Sequence, residues 1–287
     1  MKIKNICRIA VIFGLISCKQ VRWNVPESPP GYDFSKPVKF WMPEKLDEIS
    51  GLTIQDENVY AVQDELGRLY HFQLDSDKIS STRFGNKADY EDLAILDSTV
   101  FILESNGTIY SFPLSMADAD EVKDTRKWTL LATQCEYEGS FAYSGTHQLY
   151  ILSKECKNDK KTQKRSGIIL KWEKDSLSVI DSFAIDLELV RKINGNKKSK
   201  FNPSALALHP VTHEWYILSS SNNWLLIADP KWSPILRVKL KASFFTQPEG
   251  ICFDASGNLY IANEKGSAFE GRILKFEISP VGTNALD

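Results

Sequence analysis

One pattern recurs five times along the chain and narrows what it can fold into. The segments DEISGLTI, ADYEDLAI, CEYEGSFA, FNPSALAL and TQPEGICF align so that Ser50, Glu91, Glu138, Ser204 and Glu249 share a column, at spacings of 41, 47, 66 and 45 residues. A second motif follows each: NVYAVQDE, TVFILESN, QLYILSKE, EWYILSSS and NLYIANEK, aligned on Tyr60, Phe101, Tyr150, Tyr216 and Tyr260. Third segments read GRLYHFQL, GTIYSFPL, GIILKWEK, WLLIAD and GRILKFEI, and fourth segments KISSTRF, WTLLATQ, LSVIDSFAI and ILRVKL. All are short, rich in β-branched and aromatic residues, and punctuated by Gly, Asn, Asp and Ser, which is the signature of strands. A repeated unit of four strands over ~40–45 residues predicts the blade of a β-propeller.

The strand count predicts five blades of four antiparallel strands. The last repeat lacks a fourth strand, and an unassigned strand, KPVKFWMP (Lys36 to Pro43), stands before the first. Supplying it to the last blade joins the two ends of the chain and removes the open seam. Six blades are the alternative, the extra one lying in the 66-residue interval. That interval reads better as two polar, basic, loop-like insertions, CKNDKKTQKRSG and RKINGNKKSK.

The N-terminus reads as a targeting segment. A basic start, the apolar run Ile9 to Ile16 and the sequence Leu15-Ile16-Ser17-Cys18 are similar to a bacterial lipoprotein signal, with lipid on Cys18. The expected organisation is a signal peptide over 1–17, a Pro/Gly-interrupted tether over 18–36, the propeller over 37–280 and a tail over 281–287. The expected location is the cell envelope: exported, lipid-anchored to the bacterial cell membrane or outer membrane, and facing the periplasm or the surface. A net charge of −2 implies no nucleic-acid partner, and a monomer is expected.

The inner strand of a propeller blade lines the central channel, so the repeat column should ring one mouth of it. Second strands return to the same mouth and bring Gln63 and Asp64, Glu104 and Ser105, Ser153 and Lys154, Ser219 and Ser220, and Asn263 and Glu264. Glutamates at one narrow opening repel: at ~6 Å and an effective dielectric of about 20, a pair costs on the order of 3 kcal/mol. A bound cation would answer that cost, and hard oxygen donors suit Ca²⁺. The candidate metal ligands are Glu91, Glu138, Glu249, Asp64, Glu264 and Glu104. Two other readings stand beside this one: structural hydrogen bonding of the acids to nearby amides, and direct catalysis. Ser50 and Ser204 in the same column mean that the fold does not demand an acid there.

The motifs EKLDEISGL, QDELGRLY, ADYEDLAI, NPSALALHP, YILSS and QPEGICFDASGNLYIANE resemble the SdiA-regulated family of bacterial envelope proteins, over about Pro43 to Ile278. The resemblance implies a five-bladed propeller, exported or membrane-associated, with calcium held among acids. By motif position those acids are Glu91, Glu138 and Glu249, with Asp64 and Glu264 beside them. It implies no established enzymatic activity.

Two functions from different classes follow. One is a lipid-anchored module that binds a ligand or partner and, with it, calcium. The other is a calcium-dependent hydrolase of lactonase or phosphodiesterase type. The enzyme question stays open and leans toward no, because His71, His147, His209 and His213 all fall away from the glutamate mouth and no nucleophile motif occurs. The basic insertions flank that mouth and suggest an anion-binding face built on Lys160, Lys161, Arg165, Lys197 and Lys198, for an unidentified protein or anionic ligand. Cys135 and Cys156 are expected to form a disulfide at the base of the basic loop, with Cys252 a buried free thiol. The tryptophans read as blade packing.

Overall fold

Tight turns set the blades. In the computed structural model, which describes residues 27–266 and 270–279, several hairpins close on two residues. Asp56 and Glu57, at φ 49° and 66°, join one pair, and Lys174 and Asp175, at φ 51° and 56°, join another. Left-handed values at both central positions give the turn whose twist matches that of the flanking strands.

The first strand is β1 (Val38–Trp41). Blade I follows with β2 (Ile49–Gln55), β3 (Asn58–Gln63), β4 (Arg68–Gln73) and β5 (Ile79–Arg83). Blade II holds β6 (Tyr90–Leu96), β7 (Thr99–Glu104), β8 (Ile109–Pro113) and β9 (Arg126–Trp128). Blade III holds β10 (Cys135–Tyr143), β11 (Gln148–Cys156), β12 (Lys164–Glu173) and β13 (Ser176–Asp186). Blade IV holds β14 (Ala205–Leu208), β15 (Trp215–Ser219), β16 (Trp224–Ala228) and β17 (Pro234–Lys239), and blade V β18 (Pro248–Phe253), β19 (Leu259–Asn263) and β20 (Arg272–Phe276). The sheets are five and four-stranded, and the fifth is completed by β1. Val38 pairs with Lys275 and Trp41 with Arg272, antiparallel, so the chain's two ends close the ring.

Inner strands β2, β6, β10, β14 and β18 each touch the next, closing a ring about the channel. Five hydrophobic clusters lie between neighbouring blades. Leu93 and Ile102 pack with Val62 between blades I and II, for example, and Leu218 packs with Ile261 between IV and V. Burial against both neighbours is what makes a blade stable, since a lone four-stranded sheet leaves a face wet.

Three expectations need correction. The described part of the expected tether, from residue 27 to 36, is docked rather than free. Tyr32 and Phe34 are buried, and the Phe34 ring lies 4.5 Å from that of Phe276. Prolines prevent strand pairing there, but they do not prevent aromatic side chains from filling the seam between blades IV and V. The fourth strand of blade II is Arg126–Trp128, so most of WTLLATQ lies beyond the strand. The basic insertions are ordered structure: a short helix α1 (Asp159–Thr162) in the first, and α2 (Leu187–Asn194) running into the second. Asp186 caps α2 by accepting from Glu188 N and Leu189 N, and Gly195 ends it at φ 68°. The 66-residue interval is therefore long strands and helices, with no sixth blade. The signal peptide, Cys18 and the tail at 281–287 lie outside the described residues.

Candidate functional site

Four of the five column residues are β-bulges. In blade I, Ile49 pairs with Gln63 and Gly51 with Val62, which leaves Ser50 as the extra residue. Glu91 between Tyr90 and Asp92, Glu138 between Tyr137 and Gly139, and Glu249 between Pro248 and Gly250 occupy the same place in their blades. A bulge breaks the alternation of the strand and re-aims one side chain. Here it brings Glu138 into electrostatic contact with both Glu91 and Glu249, across three blades.

The serines of the column do something different. Ser50 Oγ donates to Tyr90 O at 2.8 Å, and Ser204 Oγ reaches Pro248 O at 3.3 Å. Each acceptor immediately precedes the column residue of the next blade. The serines thus tie blade to blade, while the glutamates gather charge. Burial raises the pKa of Glu249, and the neighbouring Ser220, Gln247 and Ser204 side chains pull it the other way.

Burial raises the pKa values of Glu91, Glu138, Glu249, Glu264 and Asp64. Glu91 and Glu138 are hydrogen-bonded to each other, and both are pushed up, first by desolvation. Like charges then add to the effect: Glu138 and Asp89 on Glu91, and Glu249 on Glu138. The pair holds a proton at neutral pH, as two carboxyls in contact must. Glu264 is pushed up to about 8 by burial and by the charges of Glu249, Asp64 and Glu48. Asp64 is pushed up to about 6 by burial, Glu48 and Glu65.

Among the described residues, one cation reaches the cluster. Lys154, at the end of β11, places Nζ 2.5 Å from Glu138 Oε1 and 3.0 Å from Glu136 Oε1. Burial works against its charge, but Glu138 and Glu136 outweigh it and hold the ammonium above its ordinary pKa. The oxygen donors are of the type calcium prefers. Their arrangement does not fit it: an ammonium lies on Glu138, and among the described residues no group of three or more Asp, Glu, His or Cys is placed to hold a metal.

Of the expected metal ligands, Glu91, Glu138, Glu249, Glu264 and Asp64 share this mouth. Glu104 does not. Its carboxylate turns back into blade II, where it accepts from Tyr110 OH at 2.7 Å and Asn106 Nδ2 at 2.6 Å. Arg165, expected on an anion-binding face, is buried and spent on the Asp159 carboxylate, Phe201 O and Asn202 Oδ1. Lys160, Lys161, Lys197 and Lys198 remain exposed. Cys135 and Cys156 form a disulfide with Cα atoms 4.1 Å apart, and Cys252 is a buried free thiol. His71 pairs with Asp118 and His147 with Asp97, both away from the glutamates.

The sequence reading missed one residue in the throat. Asp92, one position past the column, stands where the other blades carry Gly51, Gly139, Ala205 and Gly250. It is buried, its oxygens accepting from Leu93 N at 2.8 Å and from Ser140 N of blade III at 2.7 Å. A Cβ on Gly51 would meet Asp92 Oδ1 at 2.6 Å, so Gly51 makes room for this carboxyl. Desolvation holds its pKa well above the carboxylate range. The signal was present as a lone acid in a column of small residues.

A sequence model described as SdiA-regulated matches residues 34–269. No curated protein matches the sequence. Among solved structures, Myxococcus xanthus glutaminyl cyclase is similar at 13% identity and TM-score 0.54, covering 85% of this chain and 98% of that one. A luciferin-regenerating enzyme is similar at 9% identity and TM-score 0.51, covering 84% and 95%. The calcium-binding regucalcin from Agrobacterium tumefaciens reaches 11% identity and TM-score 0.48, covering 83% and 94%. At these identities the likeness is one of fold.

Proposed function

This chain belongs to the SdiA-regulated family, and on the five-bladed frame described above we propose that it acts as a lipid-anchored binding module of the cell envelope that takes a cation at its glutamate mouth. One observation carries the reading. Bulges in three separate blades send Glu91, Glu138 and Glu249 to one opening, where Lys154 is the counter-charge. Acids that hold protons at neutral pH because of burial and mutual repulsion are acids that a cation would relieve. Uptake of the cation would release protons and tighten as pH rises.

Calcium is the metal that such hard oxygen donors select, and it enters this reading only with the Lys154 ammonium moved off Glu138. An anionic partner would meet Lys160, Lys161, Lys197 and Lys198, which stand exposed on the two insertions. Anchoring through Cys18 is tested by the mass of the mature chain, which should carry a diacylglyceryl cysteine at its start.

The cation is tested by thermal unfolding in a CaCl₂ titration. The melting temperature should rise in the wild type, rise further in Lys154→Met, and stay flat in Glu138→Gln. No rise in either the wild type or Lys154→Met overturns calcium. Metal-dependent turnover of ester or phosphoester substrates, lost in Glu138→Gln, would replace the module with the hydrolase.

A further inference from the structure

Beyond the throat, the same five inner strands enclose a second compartment. It has a volume of about 600 Å³, within the range of small-molecule sites. Its lining comes from the latter half of every inner strand. Two residues past the bulge column stand Leu52, Leu93, Ser140, Leu206 and Ile251, and all five line it. Four of these are aliphatic. Phe141, Leu208 and Phe253 lie further along the same strands, only partly buried, and Tyr143 stands beyond them, 36% exposed. Apolar side chains around an open concavity are costly to leave in water and are a mark of a ligand site.

Ser140 is the polar exception in the aliphatic ring. It is 7% exposed, and its hydroxyl has no hydrogen-bond partner among the described residues. Its dipole favours the ionised form of Asp92, but the hydroxyl lies outside hydrogen-bonding geometry to that carboxyl. A buried hydroxyl without a partner costs roughly 1–3 kcal/mol, a cost that a ligand's polar atom removes. The Asp254 carboxylate on the funnel wall argues against an anion. Nor is Asp254 open to a cation, since it already accepts from Asn258 N and Nδ2, both at 2.8 Å, and from Tyr260 OH at 3.0 Å.

We propose that this funnel is a second binding site, for an uncharged and largely apolar small molecule whose single hydrogen-bonding group is met by Ser140. It is independent of the cation reading, because the throat residue Asp92 stands between the two compartments.

The test is a fluorescence titration of the full-length protein with the neutral probe N-phenyl-1-naphthylamine. Saturable 1:1 binding is expected. Ser140→Leu, which installs the aliphatic type found in three of the other blades, should weaken it at least tenfold. Ser140→Ala, which keeps the volume and removes only the hydroxyl, should weaken it about three- to tenfold, and it serves if the leucine variant does not fold. Glu138→Gln should leave it within twofold. Absence of saturable binding overturns the site, as does wild-type affinity in both serine variants. Equal affinity for the anionic probe anilinonaphthalene sulfonate overturns the uncharged class. Loss of probe binding in Glu138→Gln overturns the independence of the two compartments.

Discussion

The two mouths of the channel are built from the same five strands and are chemically opposite. At the start of each strand, four of the five blades carry a bulge, and three of the bulged residues are glutamates. At the far end the alternation is regular and the lining strand residues are mostly aliphatic and aromatic, with Thr53, Ser140 and Cys252 among them. The lesson is that strand irregularity, rather than loop insertion, creates the polar mouth. A bulge releases one side chain from the in-or-out choice that burial imposes on the rest of the strand. Asp92 stands between the two ends and keeps them chemically distinct.

Breaking that division should have the largest effect. Asp92→Ala orphans the amides of Leu93 and Ser140 and leaves a small void, with an expected loss of ~3 kcal/mol in urea unfolding. A loss below ~1 kcal/mol would mean that the throat is not held by this carboxyl. Next is Lys154→Met. Glu138 is 7% exposed but Lys154 is 35% exposed, so the loss falls short of a fully buried pair, at ~1–2 kcal/mol. It should appear at pH 8 and shrink at pH 5, where Glu138 can take a proton instead. An equal loss at both pH values would show that Lys154 matters through packing alone.

The sequence made some of this legible and hid the rest for identifiable reasons. Repetition exposed the blades, the closure by Val38–Trp41 and the Glu91, Glu138 and Glu249 column, because each is written several times over. Glu104 was misplaced because a second-strand residue near the mouth can turn inward, and Tyr110 offered it a partner six residues on. Tyr32 and Phe34 were missed because Pro and Gly report on backbone pairing and say nothing about where an aromatic ring packs. Asp92 was overlooked because it occurs in a single blade, so no repetition marks it. Lys154 was placed at the mouth, but its distance to Glu138 depends on the bulge, which spacing alone does not reveal.

A smaller effect sharpens the contrast from the other face. His209 lies in the turn between β14 and β15. Its Nδ1 accepts from Val211 N and Thr212 N, each at 3.2 Å, and Nε2 faces Tyr32 OH at 3.1 Å. Tyr32 OH donates to Gly257 O at 2.7 Å, so Nε2 carries the proton and the ring is neutral. Tyr32→Phe should cost ~1 kcal/mol in urea unfolding.

The two faces should then respond oppositely to pH. Burial lowers the pKa of His209, so its contribution to stability is full above the unfolded value near 6.5 and is lost as pH falls below it. The mouth acids have raised pKa values, about 6 for Asp64 and about 8 for Glu264. Their contribution is full below the unfolded value near 4 and is lost as pH rises toward 8. Each extra proton held by the folded state gives a slope of at most ~1.4 kcal/mol per pH unit. Urea unfolding from pH 4 to 8 should therefore show a falling acid component that Glu264→Gln flattens between pH 5 and 8. Tyr32→Phe should leave that component in place. A Glu264→Gln profile that falls as steeply as the wild type would remove Glu264 from the set of acids that the mouth keeps protonated.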